Sequence, residues 1–520
     1  MPYYLIYISA IILGILNAVS FAPTPSGILQ ITAITGLLAL LRIAKRPARV
    51  MWVFGVAWFT AGLYWLHFSM HDIGGLPFVA SAALVIVLAI CLAAFYALGV
   101  HFWSRWRVGA RSEVLALCVV FPLVWLAAEL ARGYLFFSGF PWLASGYAQI
   151  DNPLLNGWFA VLGVYGVGMW MAFLSGALLT LILFVCKKIA LPAKTFAVLC
   201  VSTAALLVTG LILQGVTWGN NVGSPIVVRM VQPNIPQNLK FDRDEIIKNS
   251  AIFLDQAASS AAPLTVFPET VLPYSWLDLS DDALKPLQAS LTNQRAVLIG
   301  SVGETGRDTD QAAYYNSAMW LDSNVDMRNP PRYDKNHLLP MGETIPYGFK
   351  WLIDMMQIPL GGYKAGDGYT PFVLNTAGGA IKVSANICYE NEFGEDLIKA
   401  WKNGDDNAPN VWINMTNLGW FGTHDVSTNQ AQHLQMSRAR AMEMARPMLV
   451  VTNTGTSANI DAMGDVLDQL PADQAVVQDV TVQPRSGLTP YIALGNLPVL
   501  ALLSIAFGLM ILSRHRHMDI

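Results

Sequence analysis

Cys388 stands at a junction. The residues before it, Val383-Ser-Ala-Asn-Ile387, read as a buried strand, and the pattern from Asn391 to Trp401 reads as a helix. A side chain at that point faces backbone N–H groups that have no partner inside the helix. Such a place favours thiolate over thiol and supplies donors for a developing oxyanion. Two other stretches end in polar residues that strand propensity does not explain. Leu264-Thr-Val-Phe-Pro268-Glu269-Thr270 closes on a carboxylate. Tyr333-Asp-Lys335-Asn-His-Leu-Leu-Pro-Met-Gly-Glu343 brings a lysine and a second carboxylate. A thiol, a base to take its proton and a cation to hold an oxyanion make a complete acyl-transfer site that calls for no cofactor. Taken singly, each has a plainer reading: a small buried apolar side chain, a solvated loop glutamate, a surface pair of Lys335 with Asp334. His337, His424 and His433 show no zinc spacing, so no metal is expected.

The elements that must position these residues lie in one part of the chain. Of 520 residues, 54% are hydrophobic and 13% charged, against about 25% charged in ordinary soluble domains. Charges are sparse before about residue 216 and near normal from there to about 490. This composition implies a membrane part with a polar domain attached. The net charge of −3 gives no reason to expect nucleic acid. Cys91, Cys118, Cys186 and Cys200 sit in apolar runs. Cys388 is therefore alone in the polar part, and no disulfide can form within it.

Apolar runs cover Tyr3–Val19, Ile28–Leu41, Met51–Leu66, Phe78–Phe102, Val114–Leu130, Trp158–Val185, Thr195–Leu213 and Ile492–Leu512. The first lacks a basic flank and a clear cleavage site, so it reads as a retained helix. Basic residues follow every even-numbered run: Arg42, Lys45, Arg46 and Arg49; Arg105, Arg107 and Arg111; Lys187, Lys188 and Lys194; Arg514 and Arg516. That alternation predicts eight transmembrane helices with both termini in the cytoplasm. The expected organisation is a seven-helix membrane domain over 1–215, an extracytoplasmic domain over 216–490, and an eighth helix with a short tail over 491–520. Within the middle segment, strand-like runs alternate with helical patterns at Arg243–Ala258 and Ser427–Met444, which predicts an α/β sandwich with covered sheets.

The middle domain resembles the nitrilase, or carbon–nitrogen hydrolase, superfamily, whose site is Glu, Lys and Cys in that chain order. Further stretches extend over the full length: Arg132-Gly-Tyr-Leu-Phe-Phe-Ser-Gly-Phe-Pro-Trp142, Gln232-Pro-Asn-Ile-Pro-Gln237, Phe267-Pro-Glu-Thr270, Lys335 to Glu343, Ile387-Cys-Tyr-Glu390, Trp420-Phe-Gly422 and Arg438-Ala-Arg-Ala-Met-Glu443. Together they make the chain similar to the membrane apolipoprotein N-acyltransferase family. The chain departs from the family pattern at Leu418-Gly419 and at Thr344. The resemblance implies an αββα domain with Glu269 as general base, Lys335 as oxyanion stabiliser and Cys388 as nucleophile. Glu343, Tyr389 and Glu390 would support the site or the substrate. It implies fatty acyl transfer from a membrane phospholipid to the N-terminal amine of a diacylglyceryl apolipoprotein, by a monomer in the bacterial inner membrane with its catalytic domain in the periplasm.

The stretch Glu343–Gly362 holds Tyr347, Phe349, Trp351, Leu352, Ile353, Met355, Met356, Ile358 and Leu360, bracketed by Gly342, Gly348, Gly361 and Gly362. A short core helix is the plainer reading; the expectation is a mobile apolar lid that touches the membrane and admits acyl chains, formed by Tyr347, Phe349, Trp351 and Leu352, with those glycines as hinges. Two rival functions share parts of the pattern. A membrane-anchored amidase or nitrilase would use the same triad but finish with water, and would need only one anchor. A transporter would carry ionisable residues in several spans, whereas Glu129 and Arg132 near one helix end are almost the only ones here.

Overall fold

A computed structural model describes residues 2–108, 113–355, 362–401 and 408–518. Contacts divide the chain into two units. One comprises Met1–Tyr64, Val79–Thr217 and Pro490–Ile520, the other Trp65–Phe78 and Trp218–Thr489.

The first unit is helical. Four helices are long and apolar enough to cross a membrane: Phe78–Arg107, Glu113–Leu135, Asn156–Val185 and Ala193–Gln214. Pro47–Gly62 and Leu66–Ile73 pass that test only as a pair bent by 63°. Tyr3–Val19, Gly27–Ile43 and Leu497–Gly508 are apolar but shorter. The unit's interior is aromatic. Trp58 and Trp125 stack at 5.9 Å, with Tyr96 edge-on to both. Glu129 and Arg132 are buried beside them. Both groups hold the loop that follows their helix: Glu129 accepts the Ser145 N–H at 2.7 Å, and Arg132 donates to the carbonyls of Phe140 and Trp142.

The second unit takes in a segment from far upstream. Residues 65–78 lie in sequence between two helices of the first unit but fold with the second. Trp65 donates from its indole to Gln432 at 3.1 Å and meets Phe421 edge-on at 5.0 Å. Phe68 lies against Gly422, where φ is +87° and a side chain would collide with the Phe68 ring.

Fourteen strands are present among the described residues: β1 (Asn220–Asn221), β2 (Ile226–Gln232), β3 (Leu264–Val266), β4 (Ala296–Thr305), β5 (Ala313–Leu321), β6 (Arg332–Asp334), β7 (Phe372–Thr376), β8 (Gly379–Ile387), β9 (Val411–Thr416), β10 (Met448–Thr452), β11 (Ala458–Ile460), β12 (Val466–Gln469), β13 (Val476–Val482) and β14 (Arg485–Ser486). One six-stranded sheet runs β13-β2-β3-β4-β5-β6 and the other β12-β11-β10-β9-β8-β7, while β1 pairs with β14. In each large sheet three neighbouring strands are parallel, β2-β3-β4 and β8-β9-β10.

Side chains alternate across each strand. Leu264, Val266 and Leu298 of one sheet and Val383, Ala385, Ile413 and Leu449 of the other share a single apolar core. The opposite face of the first sheet, including Val297, Ile299 and Met319, packs with Phe253 and Leu254 of the helix Arg243–Ser259 and Leu284 and Leu287 of Asp281–Ser290. The Gly303–Asp310 stretch, which its composition marks as loop, begins as strand: β4 runs on to Thr305, paired with Ala313 of β5.

Candidate active site

Parallel strands end on one rim of a sheet, and ligands bind there in open α/β folds. Both sheets use that rim. Beyond β3 the chain passes Phe267 and Pro268 to Glu269; beyond β8 comes Cys388; beyond β9 comes Asn417; and antiparallel β6 delivers Lys335. Glu269 can sit where it does because Gly300 of β4 has no side chain. A Cβ there would stand 2.3 Å from the Pro268 carbonyl oxygen and 2.5 Å from the Thr270 nitrogen.

Glu269, Glu343 and Lys335 converge. Lys335 Nζ is 2.7 Å from Glu343 Oε2 and 3.8 Å from Glu269 Oε1. All three side chains are nearly sealed from solvent. Asn316 of β5 donates to Glu269 Oε1 at 2.8 Å and to Glu343 Oε1 at 2.7 Å, so one amide spaces the two carboxylates. The Asn417 backbone N–H closes the other Glu269 oxygen at 2.9 Å, and the Leu339 N–H does the same for Glu343 at 2.8 Å.

Burial alone would lower the pKa of Lys335. Glu343 and then Glu269 reverse that, and the ammonium is held well above its ordinary value. The Glu269 pKa is raised, first by burial and also by Glu343, while Lys335, Lys240 and the Asn316 hydrogen bond oppose the rise. Lys335 is thus a permanent cation clamped by Glu343, and Glu269 is a carboxyl poised to take a proton.

Cys388 takes φ +52°, which is costly for a residue with a side chain. Its carbonyl oxygen faces Asn414 Nδ2 at 3.4 Å and His433 Nε2 at 3.5 Å. The His433 imidazole is buried, and its pKa is driven down to about 4, so it is neutral. The expectation of a stabilised thiolate at a helix start is not met. In place of one helix from Asn391 there are three short pieces, Cys388–Glu392, Gly394–Leu397 and Ile398–Trp401. Burial and then the charge of Glu269 push the thiol up to about 12, with Lys335 acting in the other direction.

The remaining expected residues divide. Glu390 is fully buried. It accepts from the Tyr333 hydroxyl at 2.7 Å, the N–H groups of Asn336 and His337 at 2.6 and 3.0 Å, and the Ile387 N–H at 2.7 Å. It therefore ties the end of β8 to the loop that carries Lys335. Tyr389 is buried, edge-on to Phe393 at 5.2 Å and His337 at 5.8 Å. In the apolar stretch, Lys350–Met355 is a short helix. Tyr347 and Trp351 are exposed there, Leu352 is buried and Phe349 is half-buried. Met356, Ile358, Leu360 and Gly361 lie outside the described residues. Leu418 is buried in a 3-10 turn that begins just after Asn417, and Thr344 sits in the turn closed by Met341.

Comparison with known proteins follows the same division of the chain. The profile of the apolipoprotein N-acyltransferase N-terminal domain matches residues 13–177, and that of carbon-nitrogen hydrolase matches residues 227–491. An apolipoprotein N-acyltransferase of Ralstonia nicotianae is 36% identical over 496 residues, covering 94% of this chain and 90% of that protein. One from Bordetella bronchiseptica is 34% identical over 536 residues, covering 95% of this chain and 94% of that protein. The chain belongs to the apolipoprotein N-acyltransferase family.

For a member of that family, the sequence pattern marks the carboxylates, the lysine and the thiol but passes over what spaces them. Asn316, Asn417 and Lys240 fall outside that pattern of catalytic residue types. Asn316 carries a faint signal, as a buried amide in the mostly apolar strand β5. Lys240 carries a clearer one, taken up below.

Proposed function

We propose that the protein transfers a fatty acyl chain from a membrane phospholipid to the N-terminal amine of the diacylglyceryl-cysteine of apolipoproteins, through a thioester on Cys388. The observation that carries this is the convergence of Glu269, Lys335 and Glu343 on the strand rim where Cys388 ends β8, in a chain of this family.

In the first half-reaction the thiol attacks the ester carbonyl as Glu269 takes its proton. The Sγ–C bond forms, and Lys335 steadies the oxyanion. Collapse breaks the C–O bond, and Glu269 returns the proton to the departing lysophospholipid. In the second, the amine attacks the thioester and the C–N bond forms as Glu269 takes a proton from nitrogen; the C–S bond then breaks, and Glu269 gives that proton to the departing Cys388 sulfur, which restores the thiol. Glu343 acts through Lys335, and Glu390 through the backbone on both sides of it.

Under this proposal the three shorter apolar helices join the four long ones and the bent pair as eight crossings. In this reading both termini are cytoplasmic, and the domain, an αββα sandwich, works as a monomer on the periplasmic face of the inner membrane. The exposed Tyr347 and Trp351 belong to an apolar arm that meets lipid and admits the acyl chain. The rival amidase reading shares the triad, but a soluble substrate would not call for this much apolar helix.

Reconstitution in phospholipid vesicles with a diacylglyceryl peptide bearing a free N-terminus tests the proposal. The peptide should gain one fatty acyl group as an amide. An unchanged peptide, with simple amides hydrolysed by the same preparation, would establish the amidase instead.

A further inference from the structure

The turn that follows β2 has its polarity reversed. In Leu239-Lys240-Phe241 the lysine is 4% exposed, while its apolar neighbours are 40% and 37% exposed. Apolar side chains normally go in and lysines out. Among the described residues two lysines are buried, Lys240 and Lys335, and both lie at this site. Lys240 Nζ donates to Thr270 Oγ1 at 2.9 Å and to the carbonyl oxygen of Glu269 at 3.3 Å. Those acceptors belong to the turn that aims the Glu269 carboxylate, and Thr270 is itself held at φ +44°.

The turn is anchored to the same rim. Asn417 reaches Gln237 with its side-chain amide at 2.8 Å while its N–H holds Glu269. Asn453 accepts the N–H groups of Asn234, at its carbonyl, and Ile235, at its side chain. The Gln232-Pro-Asn-Ile-Pro-Gln237 stretch thus fixes where Lys240 enters.

Charge supplies the reason. Lys335 is paired with Glu343 at 2.7 Å and stands farther from Glu269, at 3.8 Å, so much of its charge is spent on Glu343. Burial and the charge of Glu343 both drive Glu269 toward holding its proton too tightly to serve. Lys240 supplies a second positive charge at the backbone of the Glu269 turn.

We infer that Lys240 is a positioning residue for the acyl-transfer site, a second buried cation that fixes the Glu269 turn and keeps its carboxylate ionised, ready for the proton that Cys388 gives up as it attacks. This role rests on the reading of Glu269 as base. The groups that bear on Lys240 are Glu269 and Cys388, with Lys335 and Glu343 beyond them. Burial brings its own pKa down to about 8, with Glu269 and Cys388 opposing the fall. The support it gives is therefore present at neutral pH and fades as the pH rises through about 8.

The test is the pH dependence of Cys388 alkylation by iodoacetamide in the full-length protein in detergent, followed on the Cys388 peptide by mass spectrometry. Lys240→Met should move the acidic limb about one pH unit upward, so that alkylation at the foot of the limb is about tenfold slower. Lys240→Arg, which keeps the charge, should follow the wild type below pH 8. A Lys240→Met profile that superimposes on the wild type overturns the proposal. Should Lys240→Met fail to fold, Lys240→Gln removes the charge and keeps a donor for Thr270; an upward shift of the limb supports the proposal, and none overturns it. Alkylation needs no lipid. A shifted limb in a protein that never takes an acyl group would sink the proposed function and leave the role of Lys240 standing.

Discussion

A thiol pushed up to about 12 is almost entirely protonated at neutral pH, so Cys388 must lose its proton during attack and not before it. That makes the base indispensable. Glu269→Gln keeps the shape and the Asn316 contact but cannot accept a proton, and thioester formation should fall by at least about a thousandfold, within the range that proton transfer contributes. The sign of the pH dependence follows from the raised pKa of Glu269. As the pH falls through that value the carboxylate is protonated, and acylation should drop about tenfold per unit below it. Stopped acylation assays from pH 5 to 9 check this. A rate that keeps climbing in the Glu269→Gln protein would mean that the thiol ionises on its own. Lys335→Ala should also abolish acylation yet leave phospholipid binding close to normal, since an oxyanion exists only along the reaction path. A Lys335→Ala protein that acylates at the wild-type rate would remove this residue from the mechanism.

Elements matter because they bring these groups to within an ångström. Gly300→Ala would drive a methyl group into the backbone at Pro268 and Thr270. Acylation should fall at least about tenfold from misplacement of the base. Unchanged acylation would mean that the Glu269 turn tolerates displacement. Glu390→Gln tests the tie between β8 and the Lys335 loop. The amide replaces an acceptor of four hydrogen bonds, two of them at 2.7 Å. A cost of about 2–3 kcal/mol in stability is expected, read as a lower denaturation midpoint together with slower acylation. Trp351→Asp, at an exposed position in the arm, should slow acylation from vesicles and spare a small soluble ester donor. Equal loss on both donors would place the stretch in the core. These elements were unevenly legible in the sequence. β8 and β13 announce themselves by period and composition. β6, with Arg332 and Asp334 around one tyrosine, does not, because its register comes from pairing with Ser317 to Met319. The turn at Cys388 reads as a helix start because the pattern of Asn391 to Trp401 is helical. It breaks because Glu390 is drawn back to the Ile387 N–H and across to the Lys335 loop.

At the scale of the molecule, composition separates an apolar part from a polar one, and charge beside the apolar runs suggests how often the chain crosses. What composition cannot convey is contact at long range. Residues 65–78 read as the end of one apolar run and a loop, yet Trp65 meets Gln432 more than three hundred positions away. The two contacts of Asn316 lie 47 and 27 residues away. No local pattern encodes such partners. The central claim is that Cys388 carries the acyl group, and the intact mass of the full-length protein tests it most directly. Incubated with phospholipid and no acceptor, the protein should gain the mass of one fatty acyl chain, localise it to Cys388 and lose it to hydroxylamine. No added mass in the wild type, or an adduct that persists in Cys388→Ala, would contradict the account.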